Sequence, residues 1–122
     1  MPGEGDAKKG WRWPKELDAL RAAGRFHQLL FENEHVRVLR VTIKPGEFVP
    51  VHTHCWPSVV QVESSGDFVR RDGDGKVTFD SRDATTPTEG PAVQWLGPLP
   101  PHSVENVGKT EIRLFTVELK EG

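Results

Sequence analysis

The chain has 122 residues, enough for one domain around a single hydrophobic core. A formal net charge of −2 and Lys and Arg scattered along the chain give no electrostatic reason to expect nucleic acid or an anionic membrane as a partner. One cysteine excludes an internal disulfide and fits a reducing compartment. No apolar run approaches the ~18 residues of a membrane span, so a soluble, cytoplasmic protein is expected.

In chain order, residues 1–10 are Gly-rich and charged and are expected to be loosely attached. Trp11-Arg12-Trp13-Pro14 follows, and an early proline and late Gly24 punctuate a helix over 14–23, with Leu17 and Leu20 on its apolar stripe. Residues 1–25 therefore read as an N-terminal arm and 26–122 as the main body. From Phe26 the pattern changes to strands. Phe26–Glu32 is the first, and His35–Lys44 is the second, long and β-branched. In the second the apolar phase slips at Val38-Leu39, which predicts a bulge or a change of sheet. Pro45-Gly46 is a turn, Val49–His54 a strand, and Trp56-Pro57 a break.

Ser58–Glu63 resumes, and Phe68–Arg71 and Lys76–Asp80 form a hairpin about Asp72-Gly73-Asp74-Gly75. Residues 81–91 are the longest loop. Ala92–Leu96, His102–Val107 and Glu111–Leu119 complete about nine short strands, an all-β sandwich or barrel.

Three histidines stand out in this frame. Residues two apart on a strand share a face, so His52 and His54 aim into one space while Thr53 points away. One strand cannot supply a third convergent nitrogen; His102, opening a strand behind Pro100-Pro101, can. Three neutral imidazoles would leave a divalent ion an open face, as catalytic sites require.

The segments carrying these histidines resemble the two motifs of the cupin superfamily. Pro45-Gly46, five residues, then His52-Thr53-His54 matches the start of the first motif, and Pro101-His102, three residues, then Asn106 matches the end of the second. The resemblance covers about residues 35–119 and implies an all-β jelly-roll barrel, here with one short N-terminal helix. It departs from the family where the first motif's metal-binding glutamate falls on Ser58, so what remains is similar to the three-histidine cupins. Those include thiol, diketone and aromatic-ring dioxygenases. The tyrosine partner of the thiol enzymes has no counterpart in a chain without tyrosine.

The resemblance thus implies a metal-dependent, dioxygenase-like oxidoreductase whose ligands are His52, His54 and His102. The ion would be a divalent transition metal, Fe(II) foremost, with Zn, Mn, Ni or Cu as alternatives. The substrate would be a small, plausibly anionic molecule. A non-redox isomerase, lyase or hydrolase and a non-catalytic small-molecule binder are the rival readings. Ser58, Gln94 and Arg40 are the further catalytic candidates. An inward Arg40 would bind a carboxylate, and a solvated edge is its competing reading.

Asn106 is expected to brace a turn and Cys55 to be buried. Trp56 and Trp95 would line the cavity mouth or pack in the core. His27, His35 and the Arg70-Arg71 pair are assigned to the surface. The arm with Trp11 and Trp13 is expected to help form a homodimer.

Overall fold

The structure, a computed structural model, describes residues 10–83 and 92–120. The expectations for residues 1–9 and for most of the 81–91 loop lie outside the described residues. Among the described residues, nine strands form two antiparallel sheets. The five-stranded sheet has the order β1 (His27–Glu32), β2 (Val36–Ile43), β9 (Ile112–Leu119), β4 (Ser58–Ser64), β7 (Val93–Leu96). The four-stranded sheet has the order β3 (Phe48–His54), β8 (Leu99–Asn106), β5 (Phe68–Asp72), β6 (Val77–Asp80). Alternation places one face of each strand between the sheets, where Phe26, Val41, Ile43, Val49 and Ile112 pack with Ala23 as a core. No helix among the described residues is long and apolar enough to cross a membrane.

The expected helix over 14–23 is two separate turns. A 3-10 turn spans Lys15–Leu17, Asp18 is extended (φ −55°, ψ 144°), and the single α turn α1 covers Ala19–Ala22. Asp18 breaks the run because its carboxylate caps the second turn, accepting from the Leu20 N–H at 3.1 Å. The arm lies on its own barrel: Ala19 and Ala23 are buried, and Asp18 bridges Thr53 of β3.

The expected slip in the second strand is absent. β2 pairs with β9 in unbroken register from Val36 to Ile43, and the bulge belongs to β1, between Leu29 and Phe31. The inward residues of β2 are Arg37, Leu39, Val41 and Ile43, so the early valines Val36 and Val38 lie on the outer face. The apolar phase blurs because that outer face is apolar too. Phe31, Val38, Val117, Val59 and Trp95 pair in sequence across all five strands. Phe31 and Trp95 are 54% and 61% exposed, so this stripe faces outward and Trp95 does not line the cavity mouth.

The turn expected at Pro45-Gly46 holds β2 and β3 at the correct entry. Gly46 has φ 82°, a conformation that a side chain disfavours, and its N–H donates to Asn106 O at 3.0 Å. Asn106 is the brace expected: its Nδ2 donates to Ile43 O and Thr110 O, and its Oδ1 accepts from Gly108 N–H, each at 2.9 Å.

Candidate metal centre

Between the sheets lies a cavity of about 1040 Å³. The walls are mainly aliphatic, among them Val41, Val60, Leu96 and Leu114, and at one end four imidazoles meet. His52 and His54 project from β3 to one face, as their spacing requires, and β8 brings His102 directly opposite His52. Pairing of β3 with β8 is irregular on both sides of that pair. Pro50 and Pro101 have no N–H for the ladder, which accounts for the interruption. Ring centroids are 4.3 Å apart for His52 and His102, 5.1 Å for His52 and His54, and 5.9 Å for His54 and His102.

The fourth imidazole is His27, which the sequence reading placed at the surface. It is 4% exposed at the start of β1, and its ring centroid is 4.9 Å from that of His52 and 5.3 Å from that of His54. Side-chain donor atoms of His27, His52 and His54 all lie within 4.8 Å of one another. His27 is turned inward because Phe26 and Ala23 are buried nearby and Ala23, the residue that ends α1, presents its carbonyl to the ring's far nitrogen. His35, by contrast, is exposed as expected.

Each ring is held by the nitrogen that faces away from the cavity. His27 Nδ1 bonds Ala23 O (2.9 Å), His52 Nδ1 bonds Pro50 O (2.8 Å) and His102 Nδ1 bonds Pro100 O (2.7 Å). A carbonyl can only accept, so in each case Nδ1 carries the proton and donates it. His54 Nδ1 meets Glu118 Oε2 at 2.6 Å, with the same consequence. A neutral ring held in this way keeps its lone pair on Nε2. This is how metal-binding histidines are oriented, with the second nitrogen fixed by a carbonyl or carboxylate.

The electrostatics favour neutral rings. Burial pushes His52 down to about 2, His102 to about 3 and His27 to about 4, and the neighbouring imidazoles add to the effect. Protons do not compete for these lone pairs at neutral pH, so the residues fit a divalent transition ion.

Behind His54 runs a buried ion network that the sequence reading missed. Glu118 is fully buried on β9, and its Oε1 accepts from Arg37 Nε at 2.5 Å. Arg37, 1% exposed, also donates from Nη1 and Nη2 to the two oxygens of Asp18, at 2.9 and 3.0 Å. Burial alone would raise the Glu118 carboxyl, but the bonds and charges of His54 and Arg37 hold it down at about 2. One guanidinium faces two carboxylates, so a net negative charge sits behind the imidazoles. Trp56 is buried with Arg37 5.1 Å above its ring, which makes it part of this support and not of the cavity mouth.

Ser58 lines the cavity at the position where the motif glutamate is missing, and on the next strand it pairs with Glu118. A carboxylate is thus present beside the gap, engaged with His54 and Arg37. Gln94 also lines the cavity. Arg40 does not: it points to the outer face and pairs with Glu63 at 3.3 Å. Cys55 is buried, as expected.

Arg70 is a further correction. It lies inward on β5, lining the cavity, while only Arg71 takes the outer face, where it pairs with Glu105 at 3.0 Å.

No protein-family model and no curated protein matches the sequence. Solved structures do. A cupin domain from Bordetella pertussis Tohama I is similar with a TM-score of 0.61 and 24% identity, over 78% of this chain and 92% of that one. An RmlC-like cupin with a double-stranded β-helix fold from Methanocaldococcus jannaschii gives 0.54 and 14%, over 76% and 77%. The polyketide cyclase RemF from Streptomyces resistomycificus gives 0.52 and 18%, over 85% and 72%. At these identities the likeness is one of fold.

Proposed function

The chain has the cupin fold, a double-stranded β-helix, and from that premise we propose that it is a metal-dependent enzyme acting on a small organic molecule in the barrel. One observation carries this reading: four imidazoles, three of them buried and His54 partly so, each bond a carbonyl or carboxylate through Nδ1 and so have Nε2 left for the cavity. A structural role for histidine at a barrel wall does not call for four rings oriented alike.

His52, His54 and His102 hold the ion in this reading, joined by His27. A divalent ion there supplies Lewis-acid activation of a bound oxygen or nitrogen group, and Fe(II) adds the dioxygen chemistry of a dioxygenase-like oxidoreductase. The chain's own residues do the rest. Glu118 fixes the tautomer of His54 and makes its ring a stronger donor. The aliphatic walls take up the substrate's carbon skeleton and displace water from it. Ser58 and Gln94 provide polar contacts that orient it. The net negative charge behind His54 strengthens the attraction of the site for a divalent cation, whichever of these ions it is. A cytoplasmic setting and a homodimer complete the proposal.

The test is elemental analysis of protein purified without a metal-affinity tag, with His27→Ala, His52→Ala, His54→Ala and His102→Ala alongside. The expected result is near-stoichiometric metal in the wild type and a marked loss in each variant, with iron supporting oxygen-uptake assays. Absence of metal after loading would overturn the enzyme reading. Zinc, with turnover that persists without oxygen, would replace dioxygenase-like chemistry by non-redox chemistry.

A further inference from the structure

Arg70, half-buried, is the one arginine turned into the cavity, and its surroundings differ from those of the buried Arg37. Arg37 is saturated by two carboxylates. Around Arg70, no carboxylate of the described residues lies within the 4.0 Å that defines an ion pair. Its Nε is enclosed and makes no hydrogen bond. A buried guanidinium N–H without an acceptor is costly; Arg40 Nε is also unbonded, but its Nη2 pairs with Glu63, whereas Arg70 has no carboxylate partner among the described residues.

Its place on the sheet is defined. Arg70 pairs with Val104 of β8, and Asp72, two residues on, pairs with His102. Arg70, Val104 and His102 therefore share the inner face, with the guanidinium one diagonal step from the imidazole cluster. The Phe68 ring lies 5.8 Å from the guanidinium and stiffens it on one side. Burial lowers the Arg70 pKa, with no anion to oppose the effect. The same cavity is lined by Val60, Leu96, Leu99 and Leu114, and its other charged lining residues are Asp67 and Lys109.

We propose that Arg70 is the anchor for the carboxylate of the substrate, so that the barrel takes an apolar molecule with one acidic end. A carboxylate meets the guanidinium fork with two charge-assisted hydrogen bonds and fills the acceptor that Nε lacks. The carbon skeleton then lies along the aliphatic wall with its reactive portion toward the imidazoles. This assignment rests on the reading of the cavity as a substrate site and does not depend on which ion the histidines hold.

The experiment is calorimetric titration of the purified protein, metal-loaded and chelator-stripped, with octanoate and with octanamide as its uncharged counterpart. Wild type, Arg70→Gln and Arg70→Lys are compared, and metal content and melting temperature are recorded for each. The expected result is a preference for octanoate of about 10- to 100-fold in both metal states, in line with the worth of a charge-assisted hydrogen bond. Arg70→Gln should abolish it, and Arg70→Lys should keep part of it, with metal content unchanged. A preference that survives in Arg70→Gln but disappears on stripping would place the anion at the ion, overturning the role of Arg70 while leaving the metal centre intact. Equal binding of both probes to the wild type, or no binding of either, would also overturn it.

Discussion

Glu118 is the residue on which the metal centre and the protein's interior meet. Its two oxygens serve different partners, Oε2 the imidazole of His54 and Oε1 the guanidinium of Arg37. Glu118→Gln keeps the size but removes the charge, so His54 loses its ionic partner and Arg37 keeps only Asp18. Loss of such an outer partner costs roughly 10- to 100-fold in metal affinity. A competition titration against a chromophoric chelator should show a drop of that order, with the protein still folded. Unchanged affinity would mean that Glu118 serves the fold alone.

At the scale of elements, the two short turns before β1 do three things. Asp18 caps α1 and neutralises Arg37, Ala23 O orients His27, and Ala19 and Ala23 close the core. The arm is thus part of its own barrel's candidate metal site. Asp18→Ala leaves a buried guanidinium half-compensated, and breaking a buried pair in this way costs about 3–5 kcal/mol. Urea unfolding should show a loss of that order, against the few tenths expected for an exposed control such as Arg21→Ala.

Much of this arrangement is legible in the chain. His52 and His54 announce a shared face because the strand period is two, and Pro101-His102 with Asn106 supplies the partner strand. His27 carries no such relation: it stands alone after Phe26, and its inward turn depends on how the arm folds. Arg37 is hidden because valines on the outer face disguise the phase of β2. Glu118 does fall in phase with Ile112, Leu114 and Thr116, but a glutamate near a chain end reads as solvated unless its partners are known. Arg70 is masked by Arg71, whose outward position the pair seemed to share.

At the scale of the molecule, the outer face of the five-stranded sheet is the feature that the barrel itself does not use. Its apolar stripe from Phe31 to Trp95 crosses every strand of that sheet, and a contiguous exposed patch of this kind is a candidate contact surface. A two-fold pairing would let one such patch meet its own copy, which makes this face a candidate, beside the arm, for the proposed homodimer contact. Trp95→Lys and Val59→Lys together should shift sedimentation from dimer to monomer without altering metal content. A wild type that sediments as a monomer would dispose of the dimer.

The four imidazoles are not contributed by one sheet. His27 belongs to the five-stranded sheet, and His52, His54 and His102 to the four-stranded one. An ion shared among them therefore closes chain loops between residue 27 and residues 52, 54 and 102, shrinking the ensemble open to the unfolded chain as a covalent tie would. A chain with one cysteine has no disulfide with which to do this internally. An ion bound there would also act as a clasp between the two halves of the barrel.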